Sequence, residues 1–435
     1  METKVGYNDV NDQSRWPYDL SAWAHVCGNI GGLQTLAVYP TVAGDSFELN
    51  AKMQFKFSPM VRSMAQDALI DLFAFYVPHR HIYPNWSDWL KGGYDEGTTL
   101  GSITVPGGLG YISVTGRVIE SPSTIPTWCM AGYSRIWNRY FKHPTTADIA
   151  DDYLLGASVQ ERIGGVACCY PKAIWNTGMF DSVASADRDY TVSGSVVDLP
   201  DFALQQARYE TEINRDWFSI RYQDLLKNTW GGDANIDADQ RPELIMRNQS
   251  WLSGWDVEST DQASVGSYTG RAAGIAEITV PRKYIPEHGT IWIMALVRFP
   301  PVAVKEVHYL STKPEPTYQQ LAGDPVILQN SEPIQVAASD HFADGGVTAL
   351  ERIPYAQWYR TQPHYVHNNF SQLTGHPFIL TPATATETKY VTYLTYQPMF
   401  RNLNLLQWHC NGLIDCTAYR VIPPPKSSIY AGSNK

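Results

Sequence analysis

Phe47-Glu-Leu-Asn-Ala-Lys-Met-Gln-Phe-Lys-Phe57 alternates without a break. Phe47, Leu49, Ala51, Met53, Phe55 and Phe57 are apolar; Glu48, Asn50, Lys52, Gln54 and Lys56 between them are polar or charged. Successive side chains of a β-strand point to opposite faces, so this segment predicts a long strand with one buried and one wet face. A face this clean belongs to a large antiparallel sheet or sandwich.

Outward from that strand, similar segments cluster toward the two ends of the chain. Leu33–Tyr39, Leu69–Val77, Ile275–Ile285, Ile291–Phe299, Val302–Leu310, Tyr390–Gln397 and Leu413–Ile422 complete a set of eight. Turn chemistry bounds most of them: Ser58-Pro59, Pro78, Pro286, His288-Gly289, Pro300-Pro301 and the prolines from Pro423 to Pro425. Eight strands whose first and last groups lie far apart suit a Greek-key sandwich that pairs distant segments. The fold class expected is therefore an all-β core, an eight-stranded antiparallel Greek-key β-sandwich with long, partly helical insertions. The insertions cover about 80–274 and 311–389, and the strands fall mainly within 33–78, 275–310 and 390–422. One helix is predicted after the Pro200-Asp201 cap, with Ile213, Trp217, Ile220 and Leu225 at helical spacing, ending at Trp230-Gly231-Gly232. A second runs over Thr127–Lys142 between Pro126 and Pro144, with Met130, Tyr133, Trp137, Tyr140 and Phe141 along one side.

The 435 residues hold 44% hydrophobic and 17% charged side chains, ample material for a core. Tryptophan (14) and tyrosine (26) are abundant, as on large surfaces that meet other proteins. The first fifteen residues lack the apolar run of a secretory signal, and no apolar run approaches bilayer length. Cytosol-like conditions are expected, with Cys27, Cys129, Cys168, Cys169, Cys410 and Cys416 as reduced thiols. Without a Cys-x-x-Cys pair, a zinc site has no support. Charge is more telling: 33 Lys+Arg against 43 Asp+Glu leave the chain at −10, with no basic arm at its start. A protein that neutralises nucleic acid alone is usually basic.

Chemistry-bearing motifs are few. Gly44-Asp45-Ser46 is reminiscent of a hydrolase nucleophile block, but no base follows at the required spacing, and a turn into the strand is the plainer reading. His79-Arg80-His81 offers two imidazoles without a third ligand, so a polar contact loop competes with a metal pair. Asp233, Asn235, Asp237 and Asp239 alternate like the oxygen ligands of a calcium loop. Ala238 and Leu244 replace the required Gly and Glu, which rules out an EF-hand. A looser divalent-cation site, calcium by its chemistry, stands there beside the reading of an acidic surface loop. For nucleic-acid contact the candidates are Arg208, Arg215, Arg221, Arg241 and Arg247; Arg215 with Tyr222 and Arg247 with Trp251 put a cation near a ring. A solvated arginine or a subunit ion pair is the competing role for each. Walker, Rossmann and zinc-deaminase patterns are absent, and no enzyme is expected.

Several blocks carry a family resemblance. They are Thr41-Val-Ala-Gly-Asp-Ser-Phe-Glu48, Asp71-Leu-Phe-Ala-Phe-Tyr-Val-Pro-His-Arg-His-Ile-Tyr83, Asp237-Ala-Asp-Gln-Arg-Pro242 and Pro281-Arg-Lys-Tyr-Ile-Pro-Glu-His-Gly-Thr290. Ala295-Leu-Val-Arg-Phe-Pro-Pro301, Gln357-Trp-Tyr-Arg360 and Leu405-Leu-Gln-Trp408 continue the series. In this order the chain resembles the major capsid proteins of the Microviridae, the phages with circular single-stranded DNA, in the branch whose virions carry separate spike proteins. About 92–125 and 176–200 depart from the pattern. The resemblance implies a viral jelly roll within a single capsid domain over 1–435, assembled through pentamers into a sixty-copy icosahedral T=1 shell around the DNA. It implies assembly in the host bacterial cytoplasm and residence in the virion. The partners it implies are further copies of the chain, a major spike protein, internal and external scaffolding proteins and a small basic DNA-binding protein. The last fits the charge: sixty copies at −10 sum to roughly −600, which cannot condense a polyanion unaided. A second reading is a carbohydrate-binding β-sandwich, whose exposed aromatics recognise sugars such as host lipopolysaccharide.

Overall fold

In the computed structural model of the chain, the alternation of Phe47–Phe57 holds at every position, the six apolar side chains buried and Glu48, Lys52, Gln54 and Lys56 exposed. The structure describes residues 15–61, 66–86, 89, 100–106, 110–112, 117–119, 123–143, 146–169, 241–258, 268–285, 287–300, 302–303, 305–325, 334–343, 345–346, 349–353, 355–366, 379–380, 393–401 and 406–420. In chain order the first strands are β1 (Trp16–Asp19), β2 (Ala22–Gly28), β3 (Gly32–Thr41), β4 (Ser46–Phe57) and β5 (Ala68–Pro78). An insertion then carries β6 (Ser102–Val105), β7 (Gly110–Ile112), β8 (Arg117–Ile119), β9 (Ser123–Pro126) and the short β10 (Val166–Ala167). The chain returns to the body as β11 (Glu243–Glu258), β12 (Tyr268–Tyr284) and β13 (Gly289–Arg298). Short pieces β14 (Val302–Ala303), β15 (Ile334–Ala337), β16 (Ala349–Ile353) and β17 (Ile379–Leu380) precede β18 (Trp408–Arg420).

The long strands make an antiparallel, all-β core whose pairing is nested. β5 pairs with β11, β4 with β12, β3 with β13, and β2 with β18, working outward from the middle of the series. Two further ladders, β18 with β4 and β13 with β5, join these pairs side by side. One sheet thus reads β2–β18–β4–β12, and the other β11–β5–β13–β3, with β1 and β10 added at the edges. β11 bridges them: Glu243–Leu252 lies along β5, while Ser253–Glu258 turns onto β12.

One apolar core lies between the sheets. Met53 and Phe55 from β4, Ile278 from β12 and Trp408 and Ile414 from β18 meet Ile70 and Leu72 from β5 and Ile293 from β13. Trp408 is fully buried, its indole N–H donating to the Asn29 carbonyl at 3.0 Å and its ring 5.5 Å from that of Phe55. A second core covers the far face of the β5–β13 sheet. There Phe73, Phe75, Trp292 and Met294 pack against Met130, Tyr133, Ile136 and Trp137 of the helix Trp128–Tyr140. The Tyr133 hydroxyl ties helix to sheet, donating to Leu33 O at 2.8 Å and accepting from Val166 N–H at 3.0 Å. β5 is consequently buried along its whole length, which explains why Leu69–Val77 is nearly continuously apolar instead of alternating.

Four expectations need revision. Val302–Leu310 is a strand only at Val302–Ala303; Lys305 adopts a positive φ of 59° that breaks extended backbone, and Tyr309–Thr312 forms a 3₁₀ turn capped by His308. Tyr390–Gln397 contains the helical turn Tyr393–Tyr396, followed by a 3₁₀ turn with Pro398 in its first positions, where proline's fixed φ fits. β11 lies inside the span read as the first insertion, so that insertion ends at about 242. Its burial does not alternate, since it crosses between sheets, and only Leu252 among its described side chains is fully covered. β2 was hidden similarly: in Ala22–Gly28 the inward positions are small, Ala24 and Gly28. The helix expected after Pro200-Asp201 lies outside the described residues.

Candidate nucleic-acid interface and cation sites

Of the five candidate arginines, Arg208, Arg215 and Arg221 lie outside the described residues, as do Asp233, Asn235, Asp237 and Asp239 of the acidic loop. Arg241 stands just before β11, beside Tyr140, whose hydroxyl donates to the Pro242 carbonyl at 2.7 Å. Burial raises the Tyr140 pKa, and the Arg241 charge opposes that rise.

Arg247 sits on β11 and turns toward β5. Its guanidinium lies 5.6 Å from the Phe73 ring centroid, not over Trp251. Four residues along a strand span about 13 Å, so the spacing that would bring Arg247 to Trp251 on a helix separates them here. Its Nη2 and Nε donate to Asp71 Oδ1 at 2.8 and 3.3 Å. Arg298 Nε donates to Asp71 Oδ2 at 2.6 Å. The Asp71 side chain is 1% exposed, Arg298 12% and Arg247 46%, so two cations share one buried carboxylate and one of them reaches solvent. Among the described residues, no other Asp or Glu lies within ion-pair reach of either arginine.

His79-Arg80-His81 opens a helical turn, His79–Ile82. Arg80 grips Glu287 through two bonds of 2.9 Å each, holding the Glu287 carboxyl below its usual pKa. His79 lies among rings, 5.0 Å from Trp86 and 6.2 Å from Trp128, and burial, then the neighbouring His288, lowers its pKa to about 4. The motif is therefore a packed corner. Among the described residues, no group of three His, Cys, Asp or Glu side chains is placed to hold a metal ion.

Asp45 and Ser46 form the expected turn. Asp45 Oδ2 accepts from Val42 N–H at 2.9 Å, and Gly44 takes the positive φ of 88° that the turn requires. Ser46 is buried in β4 between Tyr284 and Tyr419 in the register. All six cysteines are free thiols, with Cys168, Cys410 and Cys416 buried.

One surface was not legible in the sequence as a unit: the outer face of the β2–β18–β4–β12 sheet. Cross-strand register sets Trp23, Leu413, Lys52 and Glu277 in one row, and His25, Asn411, Gln54 and Ile275 in the next. Trp23 and Ile275 are each 70% exposed there; Trp251, 61% exposed, instead pairs with Leu69 of β5 and shares the side of that sheet that carries Arg247. Lys52, Gln54 and Lys56 are the wet half of the alternation that opened the sequence reading. Trp23 comes from β2, whose pattern gave no signal.

An all-β body of nested antiparallel strands is a fold that hosts many kinds of protein. Comparison with known proteins specifies which kind. The pattern of the capsid protein (F protein) family of phages matches residues 9–179 and 185–430. Capsid protein F of Escherichia phage G4 is 34% identical over 425 residues, covering 97% of this chain and 99% of the relative. Capsid protein F of Escherichia phage alpha3 and that of Enterobacteria phage phiK are each 34% identical over 421 residues, covering 94% of this chain and 96% of the relative. The chain belongs to the phage F capsid protein family of the Microviridae. It is a structural component of the virion, in a family that is not enzymatic. No helix among the described residues is long and apolar enough to cross a membrane.

Proposed function

We propose that this chain is the major tile of a sixty-copy icosahedral T=1 shell, assembled through pentamers in the host bacterial cytoplasm and enclosing circular single-stranded DNA. The body would be a single capsid domain of the viral jelly-roll type. The observation that carries this reading is the nested pairing β5–β11, β4–β12, β3–β13 and β2–β18, folded over into two four-stranded sheets. That is how one long hairpin rolls up into a double-sheet jelly roll. The two long excursions from the body, between β5 and β11 and between β13 and β18, are the natural contacts with neighbouring tiles. Interfaces between them gain most from buried aromatic anchors, each contributing roughly 1.5–3 kcal/mol.

The charge balance supports a division of labour. A chain at −10 encloses DNA only with cationic help, which the small basic DNA-binding protein would supply. Spike and scaffolding proteins complete the partner set. The test is electron microscopy of the purified chain expressed with its scaffolding partners. Pentamers or closed shells are expected; a chain that stays solitary at high concentration beside those partners overturns the proposal.

A further inference from the structure

A strand at the edge of a sheet presents a row of unpaired N–H and C=O groups, and proteins guard such edges with charge, proline, short strands or a cover. Among the described residues most edges of this sandwich are guarded. β1 is four residues long and carries Pro17 and Asp19. β3 is covered by β10 at Gly32 and Leu33, and further along it has Pro40, whose carbonyl accepts from Arg420 at 2.7 Å. Beyond its register with β11, β12 holds Pro281, Arg282 and Lys283. The facing stretch of β11 carries Glu243 and Arg247, and Asn248 reaches across from it to the Glu277 carbonyl. β2 has none of these devices. Ala22-Trp-Ala-His-Val-Cys-Gly28 contains no Lys, Arg, Asp, Glu or Pro, and Trp23, His25 and Cys27 along it are exposed. One row of its backbone pairs with β18, and the other has no ladder among the described residues.

What covers such an edge has to offer a strand of its own. Copies of this chain carry −10 each and repel, so they meet at least cost where acids and bases are absent, and β2 is that edge. An antiparallel edge is also its own complement under a two-fold axis, so a second copy supplies the missing strand with the same seven residues. We infer that β2 pairs antiparallel with β2 of a second copy of this chain, joining two β2–β18–β4–β12 sheets into one continuous sheet. Full overlap of Ala22–Gly28 with itself centres the axis on His25 and sets Trp23 opposite Cys27 of the partner subunit. The indole, 70% exposed on the single chain, then gains a neighbouring strand to lie on. The inference rests on the shell reading and deepens it, naming one of the contacts between tiles.

The test compares the full-length chain at high dilution with the shells it forms beside its scaffolding partners. Hydrogen exchange of the outward-facing amides of Ala22–Gly28 should slow by about 10-fold or more on assembly. His25→Lys and His25→Glu each set like charges against one another at the axis. Each should raise the concentration at which half of the chain enters shells by about 2- to 5-fold. An equimolar mixture of the two variants should bring that concentration back toward the native one, which a merely structural change would not do. Trp23→Ala should raise it by about 30-fold, the loss of a buried aromatic anchor. Melting temperatures of the dilute variants should match the native chain, because both side chains are exposed. The inference fails if native shells form while these amides exchange as they do at dilution. It fails if the amides are already protected at dilution, which would assign the edge to another segment of the same chain. It also fails if the charge variants assemble like the native chain, or if mixing them restores nothing, which would assign the edge to a different protein. Absence of native shells by electron microscopy strikes the shell reading first, so the two failures are distinguishable.

Discussion

Replacing Asp71 with asparagine preserves the side chain's shape and removes the charge that Arg298 and Arg247 share. The two arms of this triad differ in surroundings. Arg298 is 12% exposed and held at 2.6 Å, so loss of the carboxylate strands a nearly buried cation. Removing one partner of a buried pair destabilises by about 3–5 kcal/mol. Arg247, at 46% exposure, can turn to water, and its share is that of a surface pair, about 0.2–1 kcal/mol. Asp71→Asn should therefore destabilise the chain by about 3–5 kcal/mol, and Arg247→Gln by about 1 or less. Exchanging both buried charges for apolar groups, Asp71→Leu with Arg298→Met, should cost less than Asp71→Asn alone, since no buried charge remains on that arm. Urea unfolding followed by tryptophan fluorescence gives these differences. The reasoning is refuted if Asp71→Asn shifts stability by less than about 1 kcal/mol, or if the double exchange is worse than the single.

Gly132→Ala tests the helix-to-sheet packing. In an exposed helix it would stabilise by about 1 kcal/mol, but here the new Cβ would sit 2.5 Å from the Trp292 ring, which is fully buried. A net loss of about 1–2 kcal/mol in urea is expected, and a gain would disprove the close approach. Burial lowers the His79 and His341 pKa values to about 4, well under the ordinary 6.5. Between those values the unfolded chain takes up protons that the folded chain refuses, so this contribution is complete above about pH 6.5 and falls as pH drops toward 4. The double variant His79→Gln, His341→Gln should lose stability less steeply than the native chain across that window; equal slopes would contradict it. Burial also raises the Cys410 and Cys416 thiols to about 12, while Cys27 is exposed. Iodoacetamide at neutral pH should label Cys27 first and reach Cys168, Cys410 and Cys416 only on unfolding, as peptide mass spectrometry would show.

Legibility in the sequence followed burial geometry. β4 could be read because one of its faces meets the core and the other meets water. β5 and β13 showed as apolar runs because both faces are covered, one by the facing sheet and one by the helix Trp128–Tyr140. β11 was illegible because it serves two sheets in turn, and β2 because its inward positions are small. Strand pattern also cannot report pairing; the nesting of distant segments is a property of the folded chain that periodicity does not carry. The candidate site divided similarly. Arg247 was singled out as a nucleic-acid contact with Trp251 as its neighbouring ring, whereas the strand gives it Asp71 and Phe73 instead. The wet row Lys52, Gln54, Lys56 was visible from the start. Its neighbours Trp23 and Leu413 join that row only through cross-strand register.

The position of β18 has a consequence for the order in which the tile can be made. It fills the slot between β2 and β4, and the Trp408–Asn29 bond closes a span of 379 positions. While the ribosome is still translating the second excursion, β2 and β4 present bare hydrogen-bonding edges, the condition under which nascent chains stick to one another. A polypeptide that terminates early never gains the piece that closes this gap. Synthesis thus carries its own proofreading, for only a chain translated through residue 420 can shield those edges and enter a shell.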